Sequence, residues 1–178
     1  MKKNIFIWQI VGLTFTAILG TILHFLFSWT NNSPFIASFS AVNESTWEHM
    51  KLVFVPSFIF AIVQSFFLKK EYDNFWLIKL IGIFIGTFLI PIFFYTLTGS
   101  FGKLSAFINI LIFFVSVIIE YLIELYLFNS LEASKRVDLV LILTLIFFMI
   151  LFIVFTFYPP KLPMFLDPLT KTYGIAKR

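Results

Sequence analysis

The sequence contains no cysteine, and only 12% of its residues are charged. The missing thiol excludes disulfide bonds, cysteine nucleophiles and thiolate metal ligands from this chain. Several soluble-enzyme motifs are also missing: the phosphate-binding P-loop, the Gly-rich dinucleotide fingerprint, Gly-x-Ser-x-Gly and His-Glu-x-x-His. The net charge of +4 is spread over the chain ends and loops. We therefore expect no nucleic-acid partner, since no basic patch is concentrated anywhere.

Long apolar runs dominate what is present, because 60% of the residues are hydrophobic. A membrane-spanning helix needs about 20 mainly apolar residues. Backbone groups in lipid must bond within their own segment, which predicts helices, and continuous rather than alternating apolar runs argue against a barrel. The predicted fold class is an all-α integral membrane bundle, a single transmembrane domain over residues 1–178 with the lipid bilayer as its surroundings. The five predicted spans are residues 5–27, 46–68, 76–97, 104–128 and 137–157.

The two chain ends need separate interpretation. The first apolar run is longer than the apolar region of about 7–15 residues in a signal peptide, so we expect it to remain as an uncleaved first helix. Residues 158–178 are too short to span a membrane, and they open with Tyr158-Pro159-Pro160, which stops the fifth helix. Apolar side chains continue through this segment. They predict an ordered C-terminal extracytoplasmic segment that packs on the bundle or on the membrane surface, with a loose tail as the alternative.

The distribution of basic residues predicts the orientation of the chain. Lysine and arginine favour the cytoplasmic side of short loops. One side would hold seven of them: Lys2, Lys3, Lys69, Lys70, Lys79, Lys135 and Arg136. The opposite loops would hold two, Lys51 and Lys103. Although the C-terminal segment carries further basic residues against this rule, the early spans usually dominate it. We therefore expect a multi-pass protein of the cytoplasmic membrane with a cytoplasmic N-terminus.

The densest polar stretch runs from residue 43 to residue 51. His24 ends the first span and His49 begins the second, so consecutive helix ends place both on one side of the membrane. A set of two histidines and two glutamates suits Zn²⁺ or another borderline divalent ion, or a general acid–base pair. If the histidines share one site, their rings should approach within about 8 Å, the scale of one metal ion or small ligand. The outer-face site candidates are His24, Asn43, Glu44, Glu48 and His49, and all of them except Asn43 are metal-ligand candidates.

A structural interpretation of the same stretch is equally concrete. The spacing matches no standard metal motif. Ser45 and Glu48 have the form of a helix-capping box, and Glu44 would favour the positive end of the helix dipole.

The fourth span carries the second candidate site. At 100° per residue, four of its polar residues fall within about 80° of one another on a helix. An ionised carboxylate in lipid is costly, so Glu120 should face the bundle interior. This stripe predicts a ligand or ion pathway, or a protonated Glu120 that merely tethers two helices. The stripe consists of Asn109, Ser116, Glu120 and Glu124.

In the third span, Gly82 and Gly86 have a spacing that allows close helix contact.

Two segments carry a family resemblance. Residues 39–51 read Phe-Ser-Ala-Val-Asn-Glu-Ser-Thr-Trp-Glu-His-Met-Lys, and the C-terminal region contains Pro159-Pro160, Asp167-Pro168 and Tyr173-Gly174-Ile175. Both segments resemble an uncharacterised family of small five-helix integral membrane proteins of clostridia and related bacteria, whose motif is Asn-Glu-Ser-x-Trp-Glu-His. The resemblance covers nearly the whole chain and implies a bacterial inner-membrane protein. It implies no activity and transfers no site residue.

Three hypotheses of function follow from these patterns. The first is binding or transport of a small ligand or ion through a polar intramembrane site. The second is a membrane-embedded enzyme with its site at the outer face, using a divalent metal as its one candidate cofactor. The third is a non-catalytic partner subunit of a membrane complex, or an oligomer. The sequence alone leaves open which of these holds, and with it whether the protein is an enzyme.

Overall fold

The computed structural model describes residues 4–131 and 137–175, and it confirms the all-helical fold class. Five helices are long and apolar enough to cross a membrane, as predicted. A one-turn helix in the first loop and a 3₁₀ turn at Pro163–Phe165 were not predicted. The helices are α1 Ile5–Trp29, α2 Pro34–Ala37, α3 Thr46–Leu68, α4 Phe75–Phe101, α5 Ala106–Ser130 and α6 Asp138–Phe157.

Side-chain caps start three of the long helices. Asn4, Ser45 and Ser105 each accept a hydrogen bond from a backbone N–H in the first turn of α1, α3 and α5. This satisfies donors that would otherwise lack a partner at the helix end. One of the two hydrogen bonds of the predicted capping box is confirmed, since Ser45 Oγ accepts from Glu48 N–H. The second is replaced, because the Glu48 carboxylate accepts from Val42 N instead of the N–H of Ser45.

The third predicted span, residues 76–97, ends too early, because α4 continues to Phe101. The helix ends at Gly102, whose φ of 78° lies in the left-handed region that glycine enters without penalty. Polar and small residues can continue a helix, so Thr98 and Gly99 do not end α4. The boundary is set by the first glycine in a left-handed conformation, not by the first polar residue.

Helix α3 lies at the centre of the bundle. It contacts α1, α4, α5, α6 and the 3₁₀ turn, and α4 and α1 also pack against α5. Over the most apolar 18 residues of each helix, 67% of the α3 residues are buried, compared with 17% of the α6 residues. Helix α6 therefore lies at the periphery. Large exposed apolar side chains cover the outside of the bundle, as lipid contact requires. Examples are Phe66, Phe101, Phe107, Leu122 and Leu139.

The described part of the C-terminal segment, residues 158–175, packs on the N-terminal end of α3. The ring of Phe165 lies 4.8 Å from that of Trp47, and both side chains are buried. Asn43 Nδ2 donates to Gly174 O at 2.9 Å. The segment therefore covers the same end of the bundle that carries His24 and His49.

The structure changes how the basic residues count toward orientation. Lys79 is not a loop charge, since its side chain is buried inside the bundle, and Lys51 is buried as well. Removing one lysine from each side leaves the predicted imbalance in place. Six of the charges counted or noted for orientation lie outside the described residues: Lys2, Lys3, Lys135, Arg136, Lys177 and Arg178. The cytoplasmic N-terminus thus stays a prediction.

Candidate functional site

A buried ion pair joins α4 and α5. Lys79 Nζ lies 2.6 Å from Glu124 Oε2, and neither side chain is exposed. The ammonium also lies 5.2 Å from the centre of the Tyr121 ring, a cation–π distance. The side chain of Gln9 on α1 is also close enough to Glu124 to act on its carboxyl group. The charge of Glu124 is therefore matched by a partner 45 residues away in the chain.

Glu120 lies one helical turn from Glu124 and is also fully enclosed. Glu124 and Lys79 are the charged groups that act on it. Ser57 of α3 lies nearby, yet neither Glu120 oxygen has a hydrogen-bond partner of normal geometry within residues 4–131 and 137–175. The cluster thus contains two carboxyl groups and one ammonium group. We call Lys79, Glu120 and Glu124 the carboxylate cluster.

Two glycines of α4 make room for this cluster. A Cβ atom added at Gly82 would overlap the Glu124 side chain, and one added at Gly86 would overlap Glu120. The glycines are four residues apart, as are the glutamates, so the two helices match turn for turn. The close contact predicted from the glycine spacing is confirmed, and its physical role is to admit carboxyl side chains between the helices.

Buried hydroxyl groups lie beside the carboxylate cluster. Thr16 Oγ1 is 2.8 Å from Tyr121 OH and 3.4 Å from Ser57 Oγ. These residues come from α1, α5 and α3, so three helices meet at this level. The sequence analysis missed all three, and also Lys79 and Gln9, because single polar residues in separate apolar runs carry no pattern that marks their convergence.

At the end of the bundle where α1 ends and α3 begins, Glu44 lies between the two histidines. Glu44 Oε1 is 3.7 Å from His24 Nε2, and Glu44 Oε2 is 3.4 Å from His49 Nε2. The two rings are 5.3 Å apart between centroids, within the predicted separation. One ligand atom from each of the three residues lies within 4.8 Å of the others. We call this group the histidine cluster.

An open cavity of about 800 Å³ adjoins the histidine cluster. Glu44 and His49 contribute to its lining, and Asn109 and Ile112 of α5 contribute from another side. Ser116 lies one turn beyond Ile112, is fully buried and donates to Ile112 O at 2.7 Å. From Ile112 to Glu120 the helix rises about 12 Å at 1.5 Å per residue. The predicted stripe therefore leads from the cavity, where Asn109 is exposed, to the enclosed carboxylate cluster.

Two of the predicted outer-face residues do not join the histidine cluster. Glu48 Oε2 lies 2.6 Å from Lys51 Nζ, and Thr156 of α6 donates to Glu48 Oε1 at 2.9 Å. The buried Lys51 requires a counter-charge, and Glu48 supplies it. Asn43 instead holds the C-terminal segment through Gly174. The metal-ligand set expected from the sequence is reduced from four residues to three.

Comparison with known proteins adds a family but no activity. A family model described as a family of unknown function (DUF6512) matches residues 1–175. No curated protein and no solved structure matches the chain.

Proposed function

Because the chain belongs to a family of unknown function, DUF6512, we propose its function from the geometry of its sites: it binds a proton or another small cation at Glu120 and moves it across the membrane. The five apolar helices mark a multi-pass membrane protein. The carboxylate cluster is the binding site in this proposal, and the cavity is the route to one of the two sides.

The observation that carries the proposal is the unequal number of charges in a closed interior. Lys79 neutralises Glu124, while Glu120 has no cation of its own among the described residues. An ionised carboxylate held this way costs several kcal/mol, so the cluster favours the arrival of one more positive charge. The unpartnered oxygens of Glu120 are the atoms that would receive it.

The surroundings of Glu120 support transfer as well as binding. The hydroxyl groups of Thr16, Ser57 and Tyr121 form a connected group of donors and acceptors beside the cluster. Ser116 occupies the turn between Glu120 and the cavity. Hydroxyl groups can both donate and accept, which suits relay of a proton or temporary coordination of a small cation.

The same geometry argues against Glu120 as a helix tether. A tether requires a hydrogen bond of normal geometry from the carboxyl group to a neighbouring helix. The Ser57 hydroxyl of α3 is close enough to act on Glu120, yet neither Glu120 oxygen has a partner of that geometry within the described part of the chain. A purely structural acid in this position would leave polar atoms unsatisfied at a cost of about 1–3 kcal/mol.

A membrane-embedded enzyme is the second candidate, and the histidine cluster beside an open cavity favours it. The two candidates use different residues. If changing Glu120 alone removes the activity of the protein, the result supports transport. If changing His24 or His49 alone removes it, the result supports catalysis at the cavity.

The test of the first candidate is ion flux with Glu120→Gln, which keeps the shape of the side chain and removes its charge. Purified protein is reconstituted into liposomes that contain a pH-sensitive dye, and a potassium diffusion potential drives proton entry. We expect wild-type protein to acidify the lumen and Glu120→Gln to fall to the rate of empty liposomes. Glu71→Gln, a matched change in the loop before α4, should retain the wild-type rate.

Parallel liposomes with sodium or potassium gradients and matching dyes separate a proton from a metal cation. Equal flux for wild type and Glu120→Gln would contradict the proposal, as would wild-type rates at the empty-liposome level for all three ions. Infrared spectroscopy reports the binding of a proton directly, because a protonated Glu120 contributes a carboxyl stretching band that Glu120→Gln must lack.

A further inference from the structure

We infer that His24, Glu44 and His49 form a binding site for one divalent transition-metal ion of the Zn²⁺ class, with an open coordination position toward the cavity. This inference is independent of the carboxylate cluster, which uses other residues deeper in the bundle.

The spacing of the three side chains fits a metal ion better than direct hydrogen bonds. Two ligands at about 2.0–2.1 Å from a tetrahedral Zn²⁺ ion lie about 3.4 Å from each other. The distances from Glu44 to His49 and His24 are 3.4 and 3.7 Å. A charge-assisted hydrogen bond between the same groups would bring them to about 2.7–2.9 Å. These two distances use different oxygens of Glu44, and one ligand atom from each of the three residues lies within 4.8 Å of the others. The three residues are therefore close enough to converge on one ion after small side-chain movements.

The orientation of His49 supports the same conclusion. Its Nδ1 lies 2.9 Å from Ser45 O. A carbonyl oxygen only accepts hydrogen bonds, so Nδ1 is the donor to Ser45 O, and Nε2 is the ring nitrogen that faces Glu44 and is placed to bind an ion. Metal-binding histidines commonly donate their other ring nitrogen to a backbone carbonyl in this way, which fixes both the tautomer and the ring orientation.

The chemistry of the ligands narrows the choice of metal. Two imidazoles and one carboxylate form the ligand set of several catalytic zinc sites, in which a water molecule or substrate takes the fourth position. Imidazole ligands suit Zn²⁺, Cu²⁺ and Ni²⁺, whereas Mg²⁺ and Ca²⁺ prefer oxygen alone. Glu44 and His49 contribute to the cavity lining, so the fourth ligand would come from the cavity.

The backbone around the cluster is held in place before any ion binds. Ser40, in the loop that leads to Glu44, donates its hydroxyl to Leu23 O and accepts from Phe27 N. Ala41 N donates to Leu23 O at 3.3 Å. These bonds fasten the loop to the last turns of α1, next to His24. A site supported in this way loses little conformational entropy when the ion arrives.

The first experiment measures Zn²⁺ bound to purified protein that carries no histidine tag and has been stripped with a chelator. Equilibrium dialysis should give one Zn²⁺ per chain. We expect His24→Gln, His49→Gln and Glu44→Gln each to weaken binding by at least about tenfold. Glu71→Gln, which removes a carboxylate at the opposite end of the bundle, should bind as the wild type does.

A second measurement needs only wild-type protein and so does not depend on the variants folding. Since His24 and His49 are the only histidines in the sequence, electron paramagnetic resonance of the Cu²⁺-loaded protein should show coupling to two imidazole nitrogens. No bound Zn²⁺, binding unchanged in all three variants, displacement by equimolar Mg²⁺, or a Cu²⁺ spectrum without nitrogen coupling would each overturn the inference.

Discussion

Glu48 and Lys51 illustrate how a buried charge is satisfied in this bundle. The ammonium of Lys51 donates to Thr156 Oγ1 and Ala37 O in addition to its ion pair with Glu48. Glu48 in turn accepts from Val42 N and from Thr156. Glu120 has no comparable set of partners within the described residues. The contrast between these two buried glutamates is the main reason to propose a functional rather than a structural role for Glu120.

The Glu48–Lys51 pair gives a prediction about stability. Lys51→Met leaves Glu48 buried without a cation and should lower the free energy of unfolding by about 3–5 kcal/mol. The double change Glu48→Gln with Lys51→Met should recover most of that loss, because no unpaired charge remains. Thermal unfolding in detergent micelles measures both.

The matched control for that prediction is Lys69→Met, which breaks the more exposed Lys69–Asp138 pair. Surface pairs contribute about 0–1 kcal/mol, so this change should be nearly silent. If Lys51→Met cost no more than Lys69→Met, the buried pair would have no special structural role.

Between elements, the match of α4 glycines to α5 glutamates determines how closely the two helices pack. Side chains as large as glutamate fit there only because Gly82 and Gly86 present no Cβ. The same contact brings Lys79 to Glu124, so packing and charge neutralisation depend on one register between the helices. A shift of either helix by one residue would separate the glycines from the glutamates and Lys79 from Glu124.

This register predicts opposite results for two glycine substitutions in one helix. Gly82→Ala overlaps Glu124 and should destabilise the protein by about 1–3 kcal/mol through overpacking. Gly99→Ala places its Cβ in open space, with nothing within 4 Å, and should be neutral or stabilising by up to about 1 kcal/mol. Unfolding in detergent compares the two. Equal effects would mean that the helices can separate without cost at Gly82.

For the whole molecule, the two clusters lie at different depths. From Gln9, beside Glu124, to His24 is 15 residues of α1, or about 22 Å along the helix. The histidine cluster and cavity share one end of the bundle with the C-terminal segment, which packs against Trp47. Which compartment supplies the cavity therefore depends on the orientation of the whole chain, and the basic residues predict the outer one.

Cysteine labelling tests this orientation, and the absence of native cysteine removes any background. We expect an impermeant thiol reagent on intact cells to modify Lys161→Cys, in the C-terminal segment, and to spare Lys70→Cys, in the loop between α3 and α4. Both positions are exposed at the protein surface. Permeabilised cells provide the control, since both variants should then react. The reverse pattern on intact cells would place the cavity toward the cytoplasm.

The sequence by itself determined the five helices, the inward direction of Glu120 and the common side of the two histidines. Lipid explains all three, since it requires internally bonded helices of a set length and penalises an exposed charge. Only the tertiary structure decided which residues are partners: Lys79 with Glu124 across 45 positions, Thr156 with Glu48 across 108, and Glu44 rather than Glu48 with the histidines. Partner choice depends on the rotation and neighbours of each helix. These follow from side-chain packing, which apolar runs of nearly uniform hydrophobicity do not specify.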